Sequence, residues 1–256
     1  MSIAELAAED AGRRLLKLFQ GRLTVNRKFD YPGSIVTNAD LEAEKLILRR
    51  IRKSRIKYSV NSEEAGKLNF GSNRVVWALD PLDGTLNYVK GIPYFAVSIG
   101  LMIDRRTVLG VIYNPVLDQI FTATRGQGAR RNGKRIHVSR TTSLRDSSLI
   151  YDWWNRDPSI AHPLVLAKRL YRFTRTLRAP GSVALNLCSV ASGKFDGLVT
   201  IFRRSPIYET AAGCLIVEEA EGRVTNSSGE SWEGFSNSMI AGNERLHQKL
   251  TSIIRG

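Results

Sequence analysis

The chain has 256 residues, 43% hydrophobic and 24% charged, the balance of an ordinary globular protein, long enough for one large domain or two packed sub-domains. No apolar stretch approaches the ~20 residues that span a bilayer, and the acidic, helical start is unlike a secretory leader, so a cytoplasmic location is expected. The net charge of +14, with arginine outnumbering lysine more than two to one, favours anionic partners, while Cys188 and Cys214, both in apolar helical patterns, read as buried free thiols.

In chain order, Ser2 and Glu5 have the spacing of a capping box, and Leu6, Leu15, Leu16 and Phe19 give a partly amphipathic helix to about residue 20. Thr37 to Asp40 looks like a second helix start, with Leu41, Ile47, Leu48 and Ile51 following. Asp40 falls in its first turn, where a carboxylate suits the helix dipole. Strands are predicted at 56–61, 75–80, 95–103, 108–113, 119–123 and 135–138, with a hairpin turn at Asn132-Gly133. From residue 143 the pattern alternates: strand 148–151, helix 159–173, strand 175–179, helix 182–192, strand 195–202, helix 206–221, strands near 223–225 and 238–241, and a helix from 243. The expectation is an α+β / α/β layered sandwich of alternating helix and sheet layers. It divides into sub-domains 1–142 and 143–256 that share one active-site interface. Two basic clusters, Arg49 to Arg55 and Arg130 to Arg135, lack the interleaved aromatics of a base-stacking surface. Nucleic acid is therefore a less favoured partner than a phosphorylated small molecule. His137, His162 and His247 are scattered and expected at the surface. Adjacent Trp153 and Trp154 suit packing or an interface.

The densest chemistry lies in Trp77-Ala78-Leu79-Asp80-Pro81-Leu82-Asp83-Gly84-Thr85-Leu86-Asn87-Tyr88. The apolar run 75–79 reads as a buried strand that ends at Asp80, with Asp83-Gly84 as a tight turn. Pro81 cannot continue a sheet ladder and helps aim both carboxylates, and the Leu82 carbonyl, at one point. Such hard oxygens suit Mg²⁺, and the amides of Gly84 and Thr85, at a helix start, suit a phosphate. Taken alone this is also a common turn composition. Further acidic residues stand at Glu63-Glu64, after a strand-like run, and at Glu209, in Tyr208-Glu209-Thr210-Ala211-Ala212-Gly213 at the start of an apolar helix.

Together these segments resemble the inositol monophosphatase family, within the wider group of Mg²⁺-dependent, lithium-sensitive phosphatases that also holds fructose-1,6-bisphosphatases. The resemblance covers almost the whole chain. It rests on Val36-Thr37-Asn38-Ala39-Asp40, Ser62-Glu63-Glu64, the 77–88 signature and Phe95 to Gly100. It continues through Arg178 to Ala184 with Asn186, and Tyr208 to Gly213 with Glu218 to Gly222. The resemblance implies a sugar-phosphatase fold and two or three Mg²⁺ held by Glu63, Asp80, the Leu82 carbonyl, Asp83 and Glu209. It implies phosphate on Asp83, Gly84 and Thr85, and a water oriented by Asp40 and Thr85 with Glu63 beside it. Glu64 gives secondary support, Gly181, Ser182 and Ala184 face the substrate, and a homodimer is implied. The reaction implied is hydrolysis of inositol 1-phosphate, fructose 1,6-bisphosphate or both.

Two positions depart from the family pattern. Glu209 stands where the family has an aspartate, one methylene longer, and Mg²⁺ tolerates little error in its octahedron. Phe202, followed by Arg203 and Arg204, stands about where many relatives carry an acid that bonds sugar hydroxyls. Guanidinium groups suit phosphate oxygens, so Arg203 and Arg204 are candidate contacts for a second phosphate. Two other functions fit the chain: a 3′-phosphoadenosine 5′-phosphate phosphatase, and a catalytically weakened member that binds RNA or protein through its basic surface.

Overall fold

The computed structural model describes residues 2–28, 35–54, 57–153, 163–202, 207–232, 234 and 236–255. Helix α1 (Ile3–Leu18) is followed by short strands β1 (Val25–Arg27) and β2 (Ile35–Thr37) and by helix α2 (Asn38–Ile51). Next come β3 (Tyr58–Ser62), β4 (Gly66–Asp83), α3 (Thr85–Val89), β5 (Ala96–Ile103), β6 (Arg106–Asn114), β7 (Gln119–Thr124), β8 (Ala129–Arg131) and β9 (Lys134–Arg135). The second half comprises β10 (Ser148–Trp153), α4 (Pro163–Phe173), β11 (Thr176–Arg178), α5 (Val183–Ala191), β12 (Gly197–Ile201), α6 (Ile207–Glu219), β13 (Arg223–Thr225), β14 (Ser238–Gly242) and α7 (Glu244–Arg255).

Both N-terminal helices start at full capping boxes, Ser2 with Glu5 and Thr37 with Asp40. Each box satisfies amides that a helix start leaves open. The elements stack as alternating layers: α1–α2, the seven-stranded sheet β3 to β9, α5–α6, the five-stranded sheet β11-β10-β12-β14-β13, and α4–α7. This is the layered sandwich expected. Period-two alternation explains how one sheet serves two cores. Leu149, Tyr151, Val199 and Ile201 pack on the α4–α7 side, whereas Ile150, Leu198 and Met239 pack toward α5.

Helix α6 comes from the C-terminal half yet lies against β4 to β7 of the other sheet. Small residues permit this approach. A Cβ on Gly110 would stand 2.7 Å from the Ala212 carbonyl oxygen, and one on Gly213 would stand 2.5 Å from Leu187 of α5. The segment Ala211-Ala212-Gly213 therefore lets α6 fit tightly between a sheet and a helix, which brings Glu209 into the interior.

Some predicted bounds move. The strand expected at 75–80 is the end of an 18-residue strand. Residues 76–79 pair in parallel with β3, and 66–71 run back along its other edge. That outer half is polar and mostly exposed, so no hydrophobic alternation marks it. Nor does the strand stop at Asp80: pairing with β5 resumes at Asp83 opposite Ala96, past an irregularity at Pro81-Leu82. Pro81 has no amide to give the ladder, and the extra residues bulge. The strand expected at 135–138 is a short hairpin, Arg130 to Arg135, around Asn132-Gly133. Both turn residues have positive φ, 47° and 77°, as a tight primed turn requires. His247 is buried rather than exposed, with Nε2 2.9 Å from Thr225 Oγ1. Burial, with Arg223 nearby, lowers its pKa to about 4. Both cysteines are buried and free, as expected.

Candidate active site

The predicted acidic residues come from distant segments and meet between the layers. Glu63 follows β3, Asp80 and Asp83 close β4, Asp40 lies in the first turn of α2, and Glu209 in the first turn of α6. A carboxylate at a helix start gains from the dipole and from open amides. Asp80 and Asp83 are buried, and Glu209 is partly buried. Burial raises the pKa of Asp80 well above the usual carboxylate range, and Glu63, Asp83 and Glu209 add to the rise. Glu209 is raised by burial and then by Asp83 and Glu63. Asp83 is pushed up to about 7, mainly by burial, against bonds from the Ser182 hydroxyl and the Ala184 amide. Like charges that raise one another must lie close together.

Among the described residues, one cation faces this group. Lys28 Nζ lies 2.7 Å from Glu63 Oε1 and 2.6 Å from Glu64 Oε1. Burial opposes its charge, but the two carboxylates hold the ammonium pKa above its ordinary value. Glu64 is pushed up to about 7 by burial and Glu63. Among the described residues, no three acidic, imidazole or thiol groups close on one point as a ready metal cage. The donor chemistry nonetheless fits Mg²⁺. Four carboxylates and a carbonyl are hard oxygen donors, and one ammonium leaves them with unbalanced negative charge that a divalent cation would neutralise. Glu63, Asp80, Leu82 through its carbonyl, Asp83 and Glu209 are thus the residues that could hold the ion.

The segment after Asp80 is tied to its surroundings atom by atom. The Leu82 amide donates to Asp80 Oδ1 at 3.0 Å. Thr85 Oγ1 lies 2.9 Å from the Leu82 carbonyl and 3.2 Å from Asp40 Oδ1. Asp40 is completely buried. Its Oδ2 accepts from the Thr37 amide at 2.8 Å and the Thr37 hydroxyl at 2.5 Å. Burial, offset in part by Thr37, pushes its pKa up to about 6. Gly84 precedes α3 with φ of +92°, and a Cβ there would meet the Tyr94 carbonyl at 2.9 Å. Only glycine meets both conditions at low cost.

The substrate-side turn predicted at Gly181 to Ala184 sits against Asp83. The Ser182 hydroxyl and the Ala184 amide (2.8 Å) both donate to Asp83 Oδ2. Asn87 bridges the halves by donating to the Tyr94 and Pro180 carbonyls, each at 2.9 Å. Phe202 is buried in the central core, so its ring packs there instead of offering an acceptor. Arg203, Arg204, Trp154 and His162 lie outside the described residues. Trp153 is half-exposed and stacks on Tyr151.

Sequence reasoning did not single out Lys28, Glu44 or Asp152. Lys28 carries no motif. Glu44 lies one helical turn beyond Asp40 on a face otherwise made of Ala39, Ala43 and Ile47, and an acid on a buried face was the available signal. Asp152 is buried on β10, accepts from the Asn186 side chain, and is pushed up to about 6 by burial.

The model of the inositol monophosphatase family matches residues 1–256. The chain is 35% identical to the Nus factor SuhB of Escherichia coli K12 over 256 residues, covering all of this chain and 95% of that protein. It is 38% identical over 247 residues to inositol monophosphatase 2 of Solanum lycopersicum, covering 93% of each. The crystal structure of the extragenic suppressor protein suhB from Bartonella henselae superposes with a TM-score of 0.92 at 35% identity, covering 99% of this chain and 97% of that one. A family match from the first residue to the last, on a fold shared at this level, shows that the chain belongs to the inositol monophosphatase family.

Proposed function

We propose that this chain hydrolyses sugar phosphomonoesters in a Mg²⁺-dependent, lithium-sensitive reaction, with inositol 1-phosphate and fructose 1,6-bisphosphate as substrates. The observation that carries this reading is the proximity of Glu63, Asp80, Asp83 and Glu209: Glu63 and Asp83 raise the pKa of both Asp80 and Glu209. Family membership supports phosphatase activity as a class. In this reading Glu63, Asp80, the Leu82 carbonyl, Asp83 and Glu209 hold two or three Mg²⁺. When bound, Mg²⁺ neutralises phosphate charge, stabilises the leaving alkoxide and lowers the pKa of water.

The chain's own groups then orient and move the proton. Thr37 occupies Asp40 Oδ2 and leaves Oδ1 toward Thr85. Thr85 Oγ1 accepts a hydrogen bond from the attacking water while its own proton points to Asp40. With a pKa of about 6, Asp40 is ionised near neutral pH and able to take that proton. The amides of Gly84 and Thr85 bind phosphate oxygens, and Glu64 supports Glu63. Water attacks in line, the P–O bond to the sugar breaks, the departing oxygen takes a proton from solvent water while Asp40 returns its own to solvent, and phosphate and the free alcohol leave with no covalent phosphoenzyme. Gly181, Ser182 and Ala184 contact the sugar, and Arg203 and Arg204 contact a second phosphate.

The test is phosphate release from inositol 1-phosphate, fructose 1,6-bisphosphate and 3′-phosphoadenosine 5′-phosphate, with Mg²⁺, with chelator and with lithium. Release that needs Mg²⁺ is expected from the first two. Release from the adenosine compound alone would move the substrate class, and none from any would refute the enzyme reading. Selective loss of bisphosphate activity in Arg203→Ala or Arg204→Ala supports the second-phosphate contact.

A second reading has its own support. A relative at 35% identity bears the name of a Nus factor, and the chain carries +14 net charge with exposed Arg130, Lys134 and Arg135 on one hairpin. Salt-dependent RNA binding without Mg²⁺-dependent phosphatase activity would favour it. For either reading we propose a homodimer. The exposed Leu164, Val165, Tyr171 and Phe173 of α4 are apolar surface a partner would cover, and light scattering measures the mass.

A further inference from the structure

We propose that Glu44 is a positioning residue for the metal site, locking the Ser62–Ala65 turn so that Glu63 and Glu64 face the acidic group. The inference rests on the reading of Glu63 as a Mg²⁺ ligand. Glu44 is 6% exposed and has no ion pair among the described residues. A buried carboxylate of this kind is costly unless hydrogen bonds satisfy it, so its partners show its purpose. The Ser62 hydroxyl and the Ala65 amide (2.9 Å) both donate to Glu44 Oε1. These two donors bracket Glu63-Glu64. A third tie, from the Glu63 amide to the Leu79 carbonyl at 3.1 Å, anchors the same turn to β4.

The geometry assigns α2 two tasks on one face. Asp40 and Glu44 are four residues apart, hence one above the other. Asp40 reaches Thr85, and Glu44 reaches the turn that carries Glu63. A charged acceptor holds neutral donors about twice as strongly as a neutral one. The backbone on both sides of Glu63 is thereby fixed relative to the helix that bears Asp40. Mg²⁺ demands near-ideal ligand placement, so a loosened turn lowers metal affinity before it lowers anything else. Ser62 is itself 2% exposed, so water does not replace the lost partner.

The test uses the full chain and reads metal binding directly, by calorimetric titration with Mg²⁺, alongside phosphate release and thermal unfolding followed by circular dichroism. Glu44→Leu fills similar volume without an acceptor, and Mg²⁺ affinity is expected to fall about 10–100-fold while kcat at saturating Mg²⁺ stays close to wild type. Glu44→Gln keeps a carbonyl acceptor and is expected to recover most of the affinity. Wild-type affinity in folded Glu44→Leu would overturn the proposal, as would equal losses in Leu and Gln variants. Should Glu44→Leu fail to fold, Ser62→Ala removes one donor, and it must weaken Mg²⁺ binding or the proposal fails. Glu63→Gln separates the two readings: unchanged affinity there removes Glu63 as a ligand, whereas a loss there with none at Glu44 removes only the positioning role.

Discussion

Replacing Asp83 with asparagine gives the most direct measure of the field inside the site. The Asp83 pKa rises from 3.8 to about 7 in the folded, metal-free chain, chiefly through burial. At about 1.4 kcal/mol for each pH unit, that rise has an upper bound of about 4 kcal/mol. The folded state holds the proton more tightly than the unfolded one, so this stability is fully present below pH 3.8 and lost as pH climbs to about 7. Asparagine retains an oxygen for the Ser182 hydroxyl and the Ala184 amide and carries no charge. Unfolding is measured in chelator at pH about 5 and about 8 for wild type and Asp83→Asn. Because pH 5 already lies above the unfolded pKa, wild type should lose up to about 3 kcal/mol more than the variant over that interval, roughly 5 °C in Tm. The difference between the two profiles removes titrations they share. Mg²⁺ should flatten the wild-type profile and leave the variant's nearly unchanged. Parallel profiles in chelator would refute the argument that Asp83 is held among like charges in a dry site.

Four further outcomes follow from single contacts. Gly84→Ala places a methyl group 2.9 Å from the Tyr94 carbonyl at a positive φ; a loss of about 1–3 kcal/mol and of phosphate release is expected, checked by chemical unfolding and assay. Thr85→Val removes the hydroxyl between Asp40 and Leu82, and kcat should fall about 10²–10⁴-fold with little change in KM. Glu209→Ala should abolish saturable Mg²⁺ dependence of turnover, and unchanged dependence would remove Glu209 from the ligand set. His247, held near pKa 4, should resist protonation in the fold; because its folded pKa lies below the unfolded 6.5, its contribution is present above that value and lost as pH falls toward 4, an acid limb that His247→Gln should flatten.

Much of this was legible in residue order because the signals were local. Capping boxes mark Ser2 and Thr37, Asn132-Gly133 marks a hairpin, and short apolar runs mark β10 and β12. The four candidate metal-site carboxylates were legible as types and spacings, and the fold adds their proximity. What escaped was set by tertiary contact. The polar half of β4 is a strand only because β3 lies beside it. Lys28 pairs with residues 35 and 36 positions away, and no local pattern encodes that. His247 is buried because α7 packs on the five-stranded sheet, although imidazoles scattered along a sequence suggest surface.

The departure at Glu209 looks different once its helix is placed. An extra methylene would matter most if it carried the carboxylate past its neighbours. Instead Glu209 is partly buried and feels Asp83 and Glu63 as its main charged neighbours, with Lys28 opposing them. Its position is set from behind by Ala211, Ala212 and Gly213, which admit α6 against Gly100 and Gly110 of the sheet and Leu187 of α5. Side-chain length and helix depth act together, so the longer acid is a question of where α6 sits. A bulkier residue at Gly110 or Gly213 would push α6 outward and draw Glu209 away from Asp83. The small residues of α6 are thus bound to the chemistry through packing: they decide whether the last carboxylate reaches the other three.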